Sequence, residues 1–124
     1  MENQDFEIFV NNSLGRIWRF QKDYYKKSGR YHKNLMDIWE VRNKTRGDSL
    51  DPYLAAGNKY GYNYHMVIDT VSHTTWTAAA WPVSYGITGY KSYFINETGK
   101  IRAGDNKGLK GGENLPIIEL KADY

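Results

Sequence analysis

Cysteine is missing from this chain of 124 residues, and proline and histidine occur three times each. Without Cys there is no disulfide framework, no thiolate zinc site and no cysteine nucleophile. The redox compartment stays open, because many exported proteins lack Cys as well. His32, His65 and His73 have no metal-ligand spacing such as i, i+4 on one helix, and no Ser and carboxylate join them in a catalytic motif. They read as surface or strand histidines. The acids are scattered rather than paired for acid–base work, and Asp51 before Pro52 has the place of a turn or cap residue. No enzyme is expected. No run approaches the about 18 apolar residues of a membrane span, and "MENQDFEIF" lacks the basic start and apolar core of a signal peptide. As it stands the chain should be soluble. It shows no internal repeat and no linker, and its length suits one domain, residues 1–124.

What is present argues for folding: apolar residues make up 40%, charged residues 25% and aromatics 15%, with 11 Tyr and 4 Trp. The net charge of +3 is mild but uneven. Arg16, Arg19, Lys22, Lys26, Lys27, Arg30, Lys33, Arg42, Lys44 and Arg46 face Asp23, Asp37 and Glu40 in one segment. At a helical step of about 100° per residue, Phe6, Phe9, Val10, Ser13, Leu14, Ile17, Phe20 and Tyr24 fall on one stripe, opposite Asn12, Arg16, Arg19, Lys22, Asp23 and Lys26. Acids at the start, Lys26 and Lys27 at the end and Gly29 beyond them suit a helix from residue 3 to 28. Ile8 and Gly15 break the pattern and mark a possible second contact face.

"LMDIWEVRN" suggests a short second helix, and "RGDSLDPYLAAGNKYGY" reads as a connection interrupted by Gly47, Pro52, Gly57 and Gly61. Strands follow in "YNYHMVID", "TTWTAAAWPV", "KSYFI" and "KIR", the last two flanking the turn "NETG". Gly99 supplies the positive φ of that turn. The connection through Val71, Ser72 and His73 has no Gly or Asn for that purpose, which leaves its register less defined. In the tail, Pro116, Ile117, Ile118 and Leu120 should pin a glycine-rich segment to the body. The expected fold is α+β: a long N-terminal helix on an antiparallel sheet of three or four strands, with a loop-rich C-terminal tail. The sheet is expected to cover mainly the C-terminal half of the helix, leaving Phe6 and Phe9 exposed.

An ordered set of short motifs carries a resemblance. Leu50, Asp51, Pro52 and Leu54 are followed by Gly61 and Tyr62, then by Trp76, Ala78, Ala80 and Pro82. Gly86, Thr88, Gly89, Ser92, Tyr93, Phe94, Glu97, Thr98, Gly99, Ile101 and Arg102 complete the series. With the upstream "LGRIWRFQKDYYKKSGRYHKNLMDI", the pattern resembles the globular part of type IV pilin-like proteins, including the major pseudopilins of type II secretion, over nearly the whole chain. The resemblance implies a structural filament subunit. Its partners would be copies of itself, other pilin-like subunits and an inner-membrane assembly machinery. It also implies an N-terminal apolar helix of more than about 20 residues that anchors the subunit and packs in the filament. That segment is expected upstream, with Met1 standing where it was removed. The head would lie in the periplasm or, in a pilus, outside the cell. Without Cys the disulfide-closed loop of many adhesion pilins cannot form, which favours the pseudopilin-like branch.

Phe6, Ile8, Phe9, Arg16 and Arg19 are the expected interface residues, with acids of the helix start (Glu2, Asp5, Glu7) pairing with a neighbour's basic segment. Some major pseudopilins bind calcium in the C-terminal loop, where this chain has Asp105, Asn106, Glu113 and Asn114. Calcium wants about six to eight oxygens, and Lys107 and Lys110 share the stretch, so no cofactor is expected. The alternative is a nucleic-acid-binding filament subunit that uses the basic, aromatic-rich segment 16–46 with Trp18, Tyr24, Tyr25, Tyr31 and Trp39.

Overall fold

The computed structural model describes residues 4–45 and 50–118, with side chains from residue 7 in the first helix and to residue 41 in the second. Helices α1 (Gln4–Ser28), α2 (Leu35–Thr45) and α3 (Pro52–Ala56) precede strands β1 (Asn58–Lys59), β2 (Tyr62–Ile68), β3 (Trp76–Pro82), β4 (Lys91–Asn96) and β5 (Arg102–Asp105). The strands pair antiparallel in sequence order, so the α+β meander has five strands rather than three or four. The added strand, β1, is two residues long and lies within the segment read as a connection, as does α3.

Helix α1 buries Val10, Ser13, Leu14, Ile17, Phe20 and Gln21, which recur at the spacing of one helical face. Burial of each large apolar member contributes about 1.5–3 kcal/mol. The stripe is narrower than the sequence suggests: Phe9 is 44% exposed, and Tyr24 stands at the edge, stacked on His32 at 3.8 Å. Gly29 ends the helix at φ +81°, its N–H donating to Tyr25 O at 2.8 Å. His32 is neither a surface nor a strand residue. It is fully buried in the loop after α1, with Nδ1 3.0 Å from the Asp37 carboxylate and its backbone N–H donating to Gln21 Oε1. Four residues after the helix ends at Ser28, nothing in the pattern signals that the chain folds back under α1.

Strand β2 alternates strictly, with Tyr62, Tyr64, Met66 and Ile68 buried beneath the helix. Its register sets Tyr64 opposite Ala80 and Met66 opposite Ala78, and β4 sets Tyr93 and Ile95 against those alanines on the other side. The small central residues leave room for α1, and the large flanking ones fill the space beside it. His73 closes the β2–β3 hairpin at φ +60°, while the Asp69 carboxylate accepts from Val71 N–H at 3.1 Å and Ser72 O–H at 2.6 Å. The β4–β5 turn has the expected form: Gly99 is at φ +83° and its N–H donates to Asn96 O at 3.0 Å. The tail runs along β5, with Ala103 N–H donating to Pro116 O and Ile118 N–H to Ile101 O. Buried Leu115 is its main anchor, Ile117 is exposed, and Leu120 lies outside the described residues.

Candidate subunit interface

Near the start of α1, the face carrying Ile8 and Phe9 lies outside the core. Ile8 is 56% exposed although its neighbour Val10 is buried, and the Phe9 ring meets Tyr60 at 4.8 Å instead of entering the core. Tyr60 is placed by a two-residue turn in which Tyr60 (φ +51°) and Gly61 (φ +78°) are both left-handed. Only a hydrogen fits at Gly61, because a Cβ there would stand 2.8 Å from Thr88 Cβ. Tyr60 is exposed, and Lys59 reaches back over its ring at 5.4 Å while pairing with the Asp51 carboxylate.

Asp51 caps α3: its side chain accepts from Leu54 N–H at 2.9 Å, and Pro52 fills the first helical turn, where a missing N–H costs nothing. Burial alone would raise the Asp51 carboxyl. The hydrogen bond from Lys59, that from Leu54 N–H and the Lys59 charge outweigh it and hold the group below its usual value. The cap directs Tyr53 outward, 71% exposed, and the resulting cavity of about 500 Å³ is lined by Asp51, Tyr53, Asn58, Lys59 and Tyr60. Phe9 thus connects the start of α1 to an aromatic surface on the α3–β1 side of the sheet.

A polar clamp fixes this end of the helix. Lys91 Nζ donates to Glu7 Oε2 at 3.0 Å, and Tyr62 O–H donates to Lys91 O at 2.8 Å. Burial first, and then the Glu7 charge, push the Tyr62 hydroxyl up to about 12. Glu7 is therefore engaged within its own chain, not held ready for a neighbour.

At about 100° per residue, Ile8 and Arg19 lie within about 20° of each other around α1, and so do Phe9 and Arg16. Arg19 is exposed, and the Arg16 guanidinium lies 5.2 Å over the Phe20 ring. The structure therefore brings Ile8, Phe9, Arg16 and Arg19 to adjacent stripes of one helix. Gly15, on the stripe of Ile8, is buried. The Phe6, Asp5 and Glu2 side chains lie outside the described residues. Tyr53, Asn58, Lys59 and Tyr60 were not anticipated. "LDPY" held a usable signal, an Asp-Pro helix start, but a left-handed tyrosine has no sequence mark.

The calcium candidates do not form one cluster. Asp105 accepts from Tyr85 O–H, 2.8 Å to each carboxylate oxygen, and from Lys107 N–H at 3.0 Å, while the Asn106 amide donates to Lys110 O. Glu113 and Asn114 are exposed in the loop beyond, and no group of three or more His, Asp or Glu among the described residues is placed to hold a metal. In segment 16–46 four of the aromatics have partners within the chain: Tyr25 stacks on Tyr31 at 4.4 Å, Tyr24 on His32, and Lys22 lies over Trp18. No helix among the described residues is long and apolar enough to cross a membrane. Comparisons with protein families, with characterised proteins and with solved structures find no match.

Proposed function

We propose that this chain is the globular head of a filament subunit of the type IV pilin and type II secretion pseudopilin kind, a structural protein rather than an enzyme. The observation that carries the reading is the unequal covering of α1. Its middle lies in the core of an antiparallel meander, while Ile8 and Phe9 at its start stay on the surface, joined to exposed Tyr60 and Tyr53. A helix continued upstream as an apolar anchor would extend this uncovered face, and neighbouring subunits would pack along it. The subunit then belongs to the bacterial cell envelope, held at the inner membrane with its head in the periplasm or exported in a pilus. Its partners are copies of itself, related subunits and the assembly machinery, and calcium has no part. Nucleic-acid binding is the less supported reading, because Tyr24, Tyr25 and Tyr31, three of the five aromatics that would stack bases, are stacked within the chain.

The lack of native Cys gives a direct test. Ile8→Cys and Tyr53→Cys are introduced together into the full-length subunit, with any cysteine outside these 124 residues replaced by Ser. Oxidation in the producing cells should give a ladder of cross-linked multimers that neither single variant gives. If the double variant remains monomeric while the protein is folded and present, the reading fails. Binding of the head to short duplex or single strands, falling steeply with salt, would favour the alternative.

A further inference from the structure

The two ends of the sheet differ. Because the strands pair antiparallel in sequence order, the Tyr60–Gly61 turn, the β3–β4 loop and the loop after β5 all leave from one end. The β2–β3 hairpin and the β4–β5 turn leave from the other. Helix α1 begins at the first end, where Glu7 accepts from Lys91 and Phe9 meets Tyr60. It reaches the second end by Trp18, whose Nε1 donates to Glu97 O at 3.1 Å.

Apolar surface is divided unequally between these ends. At the far end, residues 69–75 and 96–100 expose one large apolar side chain, Val71. At the end where α1 starts, Ile87 is 82% exposed and Leu109 66%. Tyr85 ties their two loops together. Its O–H donates to the Asp105 carboxylate at 2.8 Å, its ring meets Tyr90 at 5.8 Å and 84°, and a Cβ at Gly108 would stand 2.9 Å from it. Ile87 and Leu109 each follow a left-handed glycine, Gly86 at φ +84° and Gly108 at φ +81°, so both stand beside the Tyr85–Tyr90 pair. Their backbones are held. Ile87 N–H donates to Ser84 O at 3.0 Å, and Leu109 O accepts from the buried Ser92 O–H. An apolar patch built on fixed turns calls for a partner surface.

We propose that this end of the head rests on a phospholipid bilayer, with Ile87 and Leu109 entering its interface. The inference rests on the filament reading, in which an apolar anchor continues α1 upstream. Such an anchor brings the membrane against the end of the head from which α1 starts, so lipid is the surface that this patch meets. The residue types fit it. Tyrosine rings take the headgroup level of a bilayer, where an apolar body and a polar tip are both accommodated. Lys107 and Lys110 are exposed on either side of Leu109 and would meet lipid phosphates. The nearby acids are already engaged: Asp51 pairs with Lys59, Glu7 with Lys91, and Asp105 accepts from Tyr85 O–H and Lys107 N–H.

The absence of Cys from these 124 residues lets one thiol be placed at a time. Ile87→Cys, Leu109→Cys and, at the far end, Val71→Cys are each labelled with an environment-sensitive dye. The head, tagged with histidines at its N-terminus, is tethered to vesicles of phosphatidylcholine and phosphatidylglycerol that carry a nickel-chelating lipid. The Ile87→Cys and Leu109→Cys labels should shift to the blue and become shielded from aqueous iodide, while the Val71→Cys label should do neither. Adding Ile87→Ser should remove most of the Leu109→Cys shift, with the melting temperature of the head unchanged. Equal responses at the three sites, or a Leu109→Cys shift that Ile87→Ser leaves intact, would overturn the proposal. So would a blue shift in solution without vesicles, which would assign this end to a second copy of the chain. The Ile8–Tyr53 ladder reads the filament separately, so a normal ladder with no lipid response removes this inference and leaves that reading intact.

Discussion

Gln21 sits fully buried on α1, and its side-chain amide does the work of a missing strand. Nε2 donates to His32 O at 3.1 Å and lies 3.3 Å from Met66 Sδ, while Oε1 accepts from His32 N–H at 2.6 Å. A loop carried beneath a helix needs such a partner, because its backbone groups have exchanged water for apolar surroundings. Gln21→Leu matches the shape but orphans both backbone groups of His32. It should lower unfolding free energy by at least about 2 kcal/mol, at about 1–3 kcal/mol per stranded group, read by urea denaturation. An unchanged midpoint would mean that water reaches the loop. Gly99 is constrained twice, by φ +83° and by the Trp18 indole 2.8–3.1 Å from where a Cβ would be. Gly99→Val should cost about 1–3 kcal/mol for the backbone alone. Gly99→Asn separates the causes, since Asn tolerates left-handed φ but still meets Trp18. Full stability in that variant would remove the steric contribution.

Among the described helices, α3 is the shortest, and its start is held by one side chain. The Asp51 cap and its pair with Lys59 hold the carboxyl below its unperturbed 3.8, so the unfolded chain takes up the proton first as pH falls. The stabilisation is therefore present in full above that value and is lost as pH drops through the lower folded one. Asp51→Ala should cost about 1 kcal/mol near neutrality. It should also flatten part of the acid limb of a stability–pH curve below about pH 4, and an acid limb identical to the parent's would show that Asp51 is not a linked group.

The same element marks how far the sequence could be read. Helix α1 followed from a stripe long enough to average out exceptions, and β2–β4 from β-forming runs with punctuating turns, whereas the last strand, expected over Lys100–Arg102, runs from Arg102 to Asp105. Strand β1 was invisible because two residues hold no period, and Asp51-Pro52 fitted a turn as well as a helix start. At the interface, Ile8 stood out by breaking the stripe. Tyr53 and Tyr60 did not, because their exposure depends on an N-cap and a left-handed turn formed by other residues.

On the scale of the whole molecule, the core titrates at its tyrosines. Burial raises the hydroxyls of Tyr62, Tyr64 and Tyr93, that of Tyr62 to about 12 against an unperturbed 10.0. The unfolded chain loses these protons first, so stability should be intact below pH 10 and fall between about pH 10 and 12. Tyr62→Phe should reduce that alkaline slope.

In the proposed filament, Arg16 and Arg19 would serve contacts between heads. Exposed ion pairs contribute about 0–1 kcal/mol, and the Arg16–Phe20 contact about 0.5–1, so R16E/R19E should cost the isolated head only a few degrees in melting temperature. The isolated head should also be monomeric, because small patches fall short of the roughly −8 kcal/mol that micromolar association requires. In a filament the same weak contact recurs at every neighbouring pair beside the packed helices. Glu7 is already committed to Lys91 at 3.0 Å, so the arginines would answer to other acids of the adjoining helix start. The double reversal should then abolish the Ile8–Tyr53 cysteine ladder while the head stays folded. A head that unfolds would mean that these arginines serve their own chain. A ladder of normal length would mean that subunit register is set by the aromatic surface around Phe9 and Tyr60 alone.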